Sequence, residues 1–169
     1  SSESALAPTE SILREASITV PDLGLLSYRV FVCVDALDTV FEIDETNNCE
    51  PSGSRAEIAR PDLLVAEISS PSSQAIADGS ITIEFDIYNA GGQATTRGFL
   101  NEVALVDVLT DEATVLGTIP YTSPIEPESF AFVSFTSTTP SRVSGDFAIR
   151  VRTDIAQEVL ESDDSNNTA

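Results

Sequence analysis

Apolar and polar residues alternate over most of this sequence, and the alternation limits the chain to strands rather than helices. The clearest stretch runs from Ile81 to Tyr88, where odd positions are apolar and even positions are Thr, Glu, Asp and Tyr. This period of two is typical of an antiparallel strand with one buried face. The stretch ends at Asn89-Ala90-Gly91-Gly92, a turn signal. Because no segment keeps a helical period, we predict an all-β fold.

Further short strands are predicted on both sides of this one, separated by clusters of Gly, Pro, Ser and Asp. Their ranges are 63–68, 100–108, 115–119, 130–135, 147–153 and 157–162. Seven short strands within about a hundred residues are typical of an immunoglobulin-like antiparallel β-sandwich. Hydrophobic residues make up 41% of the chain, so it can bury a core of that size.

An internal repeat sets the predicted domain boundaries. Residues 28–48 match residues 147–167 without a gap, each residue lying 119 positions before its counterpart. Identical pairs include Asp35 and Asp154, Val40 and Val159, Glu42 and Glu161, Asp44 and Asp163, and the two Asn-Asn dipeptides. We therefore predict a complete sandwich at residues 61–169, a linker at 51–60, and at 1–50 the C-terminal half of a preceding repeat, a three-strand partial sandwich.

Three motifs in this order resemble the CARDB family, the cell-adhesion-related domain found in bacteria. Pro61-Asp62-Leu63-Leu64-Val65 opens the repeat, and Asn89-Ala90-Gly91 follows its second strand. The pattern Asp, then Val-x-Glu-x-Asp-Glu-x-Asn-Asn, closes it between Asp35 and Asn48, and again between Asp154 and Asn167 with Asp164 in place of Glu. The resemblance covers residues 61–167 fully and about 10–48 as a half. It implies an immunoglobulin-like sandwich, usually in tandem arrays on secreted or surface proteins, and no catalytic residues.

The composition excludes several kinds of chemistry. The chain has no histidine, so it cannot use Ser-His-Asp or Cys-His catalysis or a histidine metal ligand. It has no lysine, which excludes a Schiff base and a P-loop lysine. Nothing in the sequence singles out a catalytic pair among its 28 carboxylates. We therefore predict that the protein is not an enzyme.

The net charge of −20 constrains partners and setting. Nucleic-acid readers present a basic face, and anionic membranes repel an acidic one, so neither partner is expected. The chain contains no apolar stretch of the ~20 residues that a membrane span needs. Ser1-Ser2-Glu3-Ser4-Ala5 has no signal-peptide pattern, while the acidity and the even cysteine count suit an oxidising exterior. We predict an extracellular or cell-surface protein, secreted and processed.

The acidic closing motif has two interpretations. One is calcium binding, because Ca²⁺ prefers six to eight oxygen ligands. The candidate ligands are Asp35, Glu42, Asp44, Glu45 and Asn47, and in the second copy Asp154, Glu161, Asp163, Asp164 and Asn166. The other interpretation, which we favour, is structural: Asp35 and Asp154 begin hairpin turns, and the Asn-Asn pairs bond their own backbone. Asn166-Asn167-Thr168 is also a glycosylation sequon, which matters only in a secreted chain.

The two cysteines, Cys33 and Cys49, both lie in the half-repeat, where the full repeat has Arg152 and Thr168. A disulfide between them would contribute roughly 3 kcal/mol in the loop-entropy account. A hairpin that turns near Leu37, however, places Cys33 opposite Glu42. Cys49 would then lie more than ~20 Å beyond Glu42 along the strand. An intrachain bond, a bond to another chain and two free thiols therefore all stay open.

The half-repeat carries a candidate assembly face. Alternation directs Tyr28, Val30, Val32 and Val34 toward a core. It directs Phe31 and Cys33 outward, and with two apolar residues of the next stretch they give the predicted face: Phe31, Cys33, Phe41 and Ile43. Three strands are too few to cover a sandwich core, and an open edge invites pairing with another chain. The missing strands belong either to upstream sequence or to a neighbouring subunit.

These observations predict a non-catalytic structural or adhesive module of a multi-repeat surface protein, or the subunit of a filament with strand complementation. Expected partners are neighbouring subunits or repeats, and a surface protein or glycan. The alternative is a module that binds carbohydrate or protein ligands. Sugar platforms need exposed aromatic rings, but the chain has no Trp and three Tyr, of which only Tyr88 is placed outward. That favours the structural function.

Overall fold

The computed structural model describes residues 6–19, 27–70, 75–141 and 144–169, and these form ten strands and no helix. Residues 1–5 and 20–26 of the predicted half-repeat lie outside the described residues. No described element has the helical length and apolar character that a membrane span requires. The strands are β1 (Ser27–Tyr28), β2 (Phe31–Cys33), β3 (Cys49–Pro51), β4 (Ala56–Glu57), β5 (Leu63–Ser69), β6 (Ser80–Asn89), β7 (Phe99–Asp107), β8 (Ala113–Tyr121), β9 (Ser129–Thr138) and β10 (Phe147–Arg152).

The last six strands form two antiparallel sheets, one in the order β5-β6-β9 and the other in the order β10-β7-β8. Alternate side chains of both sheets meet in one core. In β6, for example, Ile81, Ile83, Phe85 and Ile87 are each at most 8% exposed. The predicted all-β, antiparallel sandwich is therefore confirmed, and the period-two pattern that predicted it marks the buried face of β6.

The strand predicted at residues 157–162 does not form. Val159 and Glu161 are buried, at 5% and 4% exposure, so the alternation correctly predicted which side chains of this segment face inward. The backbone enters this segment through left-handed conformations at Asp154 and Gln157, with φ of +43° and +51°, which interrupt an extended strand. The segment loops instead, and returns to pair with β10 through a bridge between Arg152 and Thr168.

The residues before the sandwich form two small antiparallel pairs, β1 with β4 and β2 with β3. Strands β3 and β4 extend into the residues predicted as a linker. The side chains of Val30, Val32 and Val34, which were predicted to face a core, are 39%, 63% and 62% exposed. No described residue covers them as the sandwich covers their counterparts.

The start of β5 is held by the turn that follows β6. The buried Asn89 side chain accepts hydrogen bonds from the N–H groups of Asp62 and Gly91, both at 3.1 Å, and donates to two carbonyl groups. Gly91 is required here, since a Cβ atom would lie 2.1 Å from the carbonyl oxygen of Arg60. The turn motif thus positions the opening Pro61-Asp62-Leu63 segment.

Candidate functional site

The segment after β10, residues 153–168, is called here the closing loop, and Asp154 organises its first turn. The Asp154 side chain is 2% exposed. Its two carboxylate oxygens accept hydrogen bonds from the N–H groups of Glu158 and Val159, both at 2.9 Å. Asp tolerates the left-handed backbone that this turn needs. One carboxylate therefore satisfies two backbone donors, one of which belongs to the buried Val159.

The closing loop also clamps the opening of the sandwich. Glu161 accepts a hydrogen bond from the N–H of Leu63 and another from the Asn167 side chain at 2.8 Å. The N–H of Ser162 donates to the Pro61 carbonyl at 2.9 Å, and the Asn166 amide donates to the Asp62 carboxylate at 2.8 Å. The two most distant motifs of the repeat thus meet, and Pro61-Asp62-Leu63 is held by three residues of the closing loop.

The Glu161 carboxyl group titrates in an unusual range. Burial raises its pKa from 4.5 to about 7, and the nearby Asp154 and Asp164 charges act in the same direction. The hydrogen bonds from Leu63 and Asn167 oppose this rise. The contact between closing loop and opening strand therefore depends on a carboxyl group that gains or loses its proton near neutral pH.

The half-repeat contains a second copy of this loop, residues 34–48, called here the half-repeat loop. Asp35 has φ of +42°, and its carboxylate accepts from the N–H groups of Thr39 and Val40 at 2.9 and 2.7 Å. The backbone also closes in the same way, since Val34 donates to Asn48 as Thr153 donates to Asn167, each at 2.9 Å. The loop conformation therefore recurs where no sandwich encloses it.

The later turn is shared as well. Asp44 accepts from both the N–H and the hydroxyl of Thr46, and Asp163 does the same with Ser165. These bonds hold the pKa of Asp44 and Asp163 below the ordinary value, with the hydroxyl contact as the first cause in each. The pKa of Asp35 is likewise lowered, chiefly by the Thr39 hydroxyl. The acidic residues stabilise turns in their ionised form.

The two loops differ in their surroundings. Val151 and Val159 are 0% and 5% exposed in the sandwich, whereas their counterparts Val32 and Val40 are 63% and 58% exposed. Glu42, the counterpart of Glu161, has no hydrogen-bond partner for its carboxylate among the described residues. The half-repeat loop thus presents a face that the full repeat buries.

The predicted calcium ligands do not gather into one group. Within the described residues, no three Asp, Glu or Cys side chains are arranged to hold a metal ion. Asp35, Asp44, Asp154 and Asp163 each accept hydrogen bonds from their own turn, in line with the structural interpretation. The Asn-Asn expectation was wrong in detail, because the Asn48 and Asn167 side chains donate to Glu45 and Glu161 rather than to backbone. Calcium binding stays a prediction.

The two cysteines lie directly opposite each other in β2 and β3, joined by a disulfide with Cα atoms 4.1 Å apart. The predicted hairpin register, with Cys33 opposite Glu42, is wrong. Residues 34–48 form a loop around the Asp35 turn instead of two strands, so the chain returns to β2 only at Cys49. The disulfide closes the base of the half-repeat loop.

Reduction of this disulfide is expected to loosen the half-repeat and leave the sandwich intact. The bond spans 16 residues, for which the loop-entropy account gives about 3 kcal/mol. Limited proteolysis of the Cys33→Ser, Cys49→Ser double variant, analysed by mass spectrometry, should yield new cuts within 34–48 and a resistant sandwich. New cuts in both regions would contradict an independent half-repeat loop.

The predicted assembly-face residues are exposed but do not share one strand. Phe31 and Cys33 lie in β2, while Phe41 and Ile43 lie in the half-repeat loop. Phe41 and Ile43 are fully exposed, and Phe31 is 65% exposed. Large apolar side chains in water are costly, so these residues remain candidates for contact with another polypeptide.

The outer face of the β5-β6-β9 sheet carries an aromatic cluster that we did not predict from the sequence. Tyr88 stacks on Phe130 with ring centroids 4.5 Å apart. Phe132 lies two residues after Phe130 on β9, so its side chain faces the same outer side of the sheet. Phe130 and Phe132 are 64% and 63% exposed. The signal was present in the alternation of 130–135, whose aromatic positions at 130 and 132 face away from the buried Ala131 and Val133.

One cleft of about 490 Å³ lies beside the opening and closing segments. Its lining includes Arg60, Pro61, Gln93, Arg97 and Glu158. Two of the chain's eight arginines are thus found at this one position.

Comparison with known proteins gives one match to a family model, CARDB, over residues 60–169. No curated protein matches the chain. Among solved structures, the crystal structure of the CARDB domain of the PF1109 protein from Pyrococcus furiosus, described as a complex with di-metal ions, is 23% identical with a TM-score of 0.46. That match covers 65% of this chain and 84% of the other. A solution NMR structure of the same domain is 22% identical, with a TM-score of 0.46 and coverage of 66% and 92%.

Proposed function

The chain belongs to the CARDB family, and from that premise we propose that it is a non-catalytic structural or adhesive module. CARDB is a non-catalytic domain family presumed to act in adhesion. The module works either as part of a multi-repeat surface protein or as the subunit of a self-assembling filament. In both cases, rigid sandwiches are connected by completing the half-repeat with strands from outside it.

The observation that carries this proposal is the exposed half-repeat loop. Val32 and Val40 are more than half exposed, although the same positions of the sandwich are almost fully buried. Burying an aliphatic side chain contributes about 1.5–3 kcal/mol, so a chain that supplies the missing strands gains stability from each position. A catalytic function has no comparable support among the described residues.

The proposed location is extracellular or at the cell surface. A disulfide persists in oxidising compartments and is rare in the cytosol. The bond between Cys33 and Cys49, together with the net charge of −20, supports this location.

The experiment is a measurement of mass and shape by light scattering and electron microscopy, with and without EGTA and reducing agent. Filaments or a stable oligomer would identify a self-assembling subunit. A monomer whose half-repeat is cut by protease would identify one segment of a tandem array. A monomer with a protease-resistant half-repeat would overturn the proposal, because its half-repeat would need no completion. Dissociation in EGTA would show that calcium contributes to assembly. We expect instead that the turns held by the Asp carboxylates keep their conformation without calcium.

A second candidate function, binding of a glycan or protein ligand, is favoured by the aromatic cluster of Tyr88, Phe130 and Phe132. Aromatic rings on an open sheet face can stack against sugar rings or anchor a protein contact. The same preparation should be tested for retention on insoluble polysaccharides. Retention that is lost in a Phe130→Ala, Phe132→Ala variant would support this function in place of the structural one.

A further inference from the structure

We propose that the half-repeat loop is a docking site for an extended Pro-Asp-Leu segment supplied from outside these 169 residues. This inference rests on the proposed function and names the chemistry of the missing strand. Its basis is an internal comparison, because the sandwich shows what occupies the same face when it is complete.

Each contact that the closing loop makes with residues 61–63 has a counterpart position in the half-repeat loop. Glu161, which accepts from the N–H of Leu63, corresponds to Glu42. Asn166, which donates to the Asp62 carboxylate, corresponds to Asn47. The hydrogen-bonding side chains are therefore retained at both positions, so the occupant needs an Asp side chain followed by a free backbone N–H.

The exposed valines of the half-repeat loop indicate which apolar residue the docked segment carries. Val32 and Val40 stand where Val151 and Val159 pack against the sandwich core. In that core Leu63 is fully buried, directly after Asp62. A leucine following the Asp would thus lie next to the two exposed valines while its N–H reaches Glu42.

The loop is already shaped for this occupant. Asp35 holds the same left-handed turn as Asp154, and the disulfide closes the base of the loop. Preorganisation reduces the entropy that a bound segment must overcome. Asn48 donates to Glu45, whereas its counterpart Asn167 donates to Glu161, so Asn48 does not engage the Glu42 carboxylate.

A second copy of this chain is a poorer source than an outside segment. Its own Leu63 is fully buried and donates to its own Glu161, while Asp62 is held by Asn89 and Asn166. Donation by a second copy would require opening a completed sandwich. An outside segment needs no such opening.

The test uses the full chain and a fluorescent synthetic peptide with the sequence of residues 59–70, measured by anisotropy. We expect saturable binding that weakens at least tenfold in Glu42→Ala and in a peptide carrying Asp62→Ala. The control Glu57→Ala, an exposed carboxylate on β4 outside the half-repeat loop, should stay within twofold. Amide NMR shifts on peptide addition should concentrate at residues 32–48.

Three outcomes would overturn the proposal: absence of binding, binding indifferent to Glu42→Ala, or shifts confined to the sandwich. Light scattering on the free chain distinguishes the source. A dimer that dissociates in Glu42→Ala and excludes the peptide would assign the site to a second copy, which contradicts an outside source but leaves the assembly function intact. If the chain is monomeric and its half-repeat resists protease but still binds the peptide, the assembly function is contradicted while the docking site stands.

Discussion

Replacement of Asp154 by Ala is expected to lower the free energy of unfolding of the sandwich by about 3 kcal/mol, from lost charge-assisted hydrogen bonds and backbone strain. The carboxylate is the acceptor for two N–H groups, those of Glu158 and Val159, and the latter residue is buried. Alanine leaves both donors without a partner. It also places a residue without a side-chain acceptor at a φ of +43°.

The half-repeat provides a matched control for this variant. Asp35→Ala removes the same two backbone bonds at the same backbone geometry, and a third bond from the Thr39 hydroxyl, but in a turn that water reaches. We expect it to leave the sandwich transition unchanged and to have a smaller effect on the half-repeat. Urea unfolding followed by far-UV circular dichroism, with Asp154→Asn as a conservative variant, measures the difference. Equal losses for Asp154→Ala and Asp35→Ala would show that burial has no part in the effect.

Glu161→Gln is expected to abolish a loss of stability that the wild-type protein undergoes as the pH rises from 4.5 to about 7. The pKa of this buried carboxyl group is raised, so the folded state holds its proton longer than the unfolded state does. Stability from this group is therefore complete below pH 4.5 and decreases as the pH rises through the folded pKa of about 7. The shift corresponds to a free energy of about 3 kcal/mol.

Glutamine can keep both contacts of the clamp. Its carbonyl oxygen can accept from Leu63. Its amide can donate to the Asn167 side-chain oxygen, which has no partner in this structure, once the Asn167 amide turns over and the direction of that bond is reversed. The control is Glu67→Gln, an exposed carboxyl group on β5 that changes the net charge equally. Chemical unfolding at several pH values should give a flatter profile for Glu161→Gln than for the control. Parallel profiles would show that Glu161 titrates as an ordinary carboxyl group.

The turn carboxylates give stability a pH dependence opposite to that of Glu161. The pKa values of Asp35, Asp44 and Asp163 are lowered by hydrogen bonds to their ionised forms. Their contribution is present above the unfolded pKa and is lost as the pH falls. Acid therefore weakens the turns while it relieves the buried Glu161, and the Glu161→Gln comparison separates the two effects.

Much of the fold could be predicted from local patterns. Alternation identified six of the sandwich strands, because burial of one face imposes a period of two on side chains. The Asp turns were also foreseen at Asp35 and Asp154, since a short carboxylate bonds its own neighbouring backbone. Alternation failed at 157–162, where a loop buries Val159 and Glu161 at the same spacing as a strand.

Contacts between distant segments could not be predicted in this way. The pairing of Cys33 with Cys49 depends on a loop that departs from strand geometry after Asp35, and a register count along an assumed hairpin places the two cysteines far apart. The outward aromatic pair of Tyr88 and Phe130 requires knowledge that β6 lies beside β9. Neither neighbour relation is recorded in spacing along the chain.

The two loops separate the contributions of sequence and tertiary structure. The sequence by itself determined the strand alternation, the family and the conformation of each Asp turn, since that conformation is the same at residues 35–40 and 154–159 in different surroundings. Only the tertiary structure decided that the Glu161 carboxylate meets Leu63 while the Glu42 carboxylate meets no described partner. The physical reason is range: a turn is stabilised by bonds within five residues, whereas burial depends on strands that lie a hundred residues away.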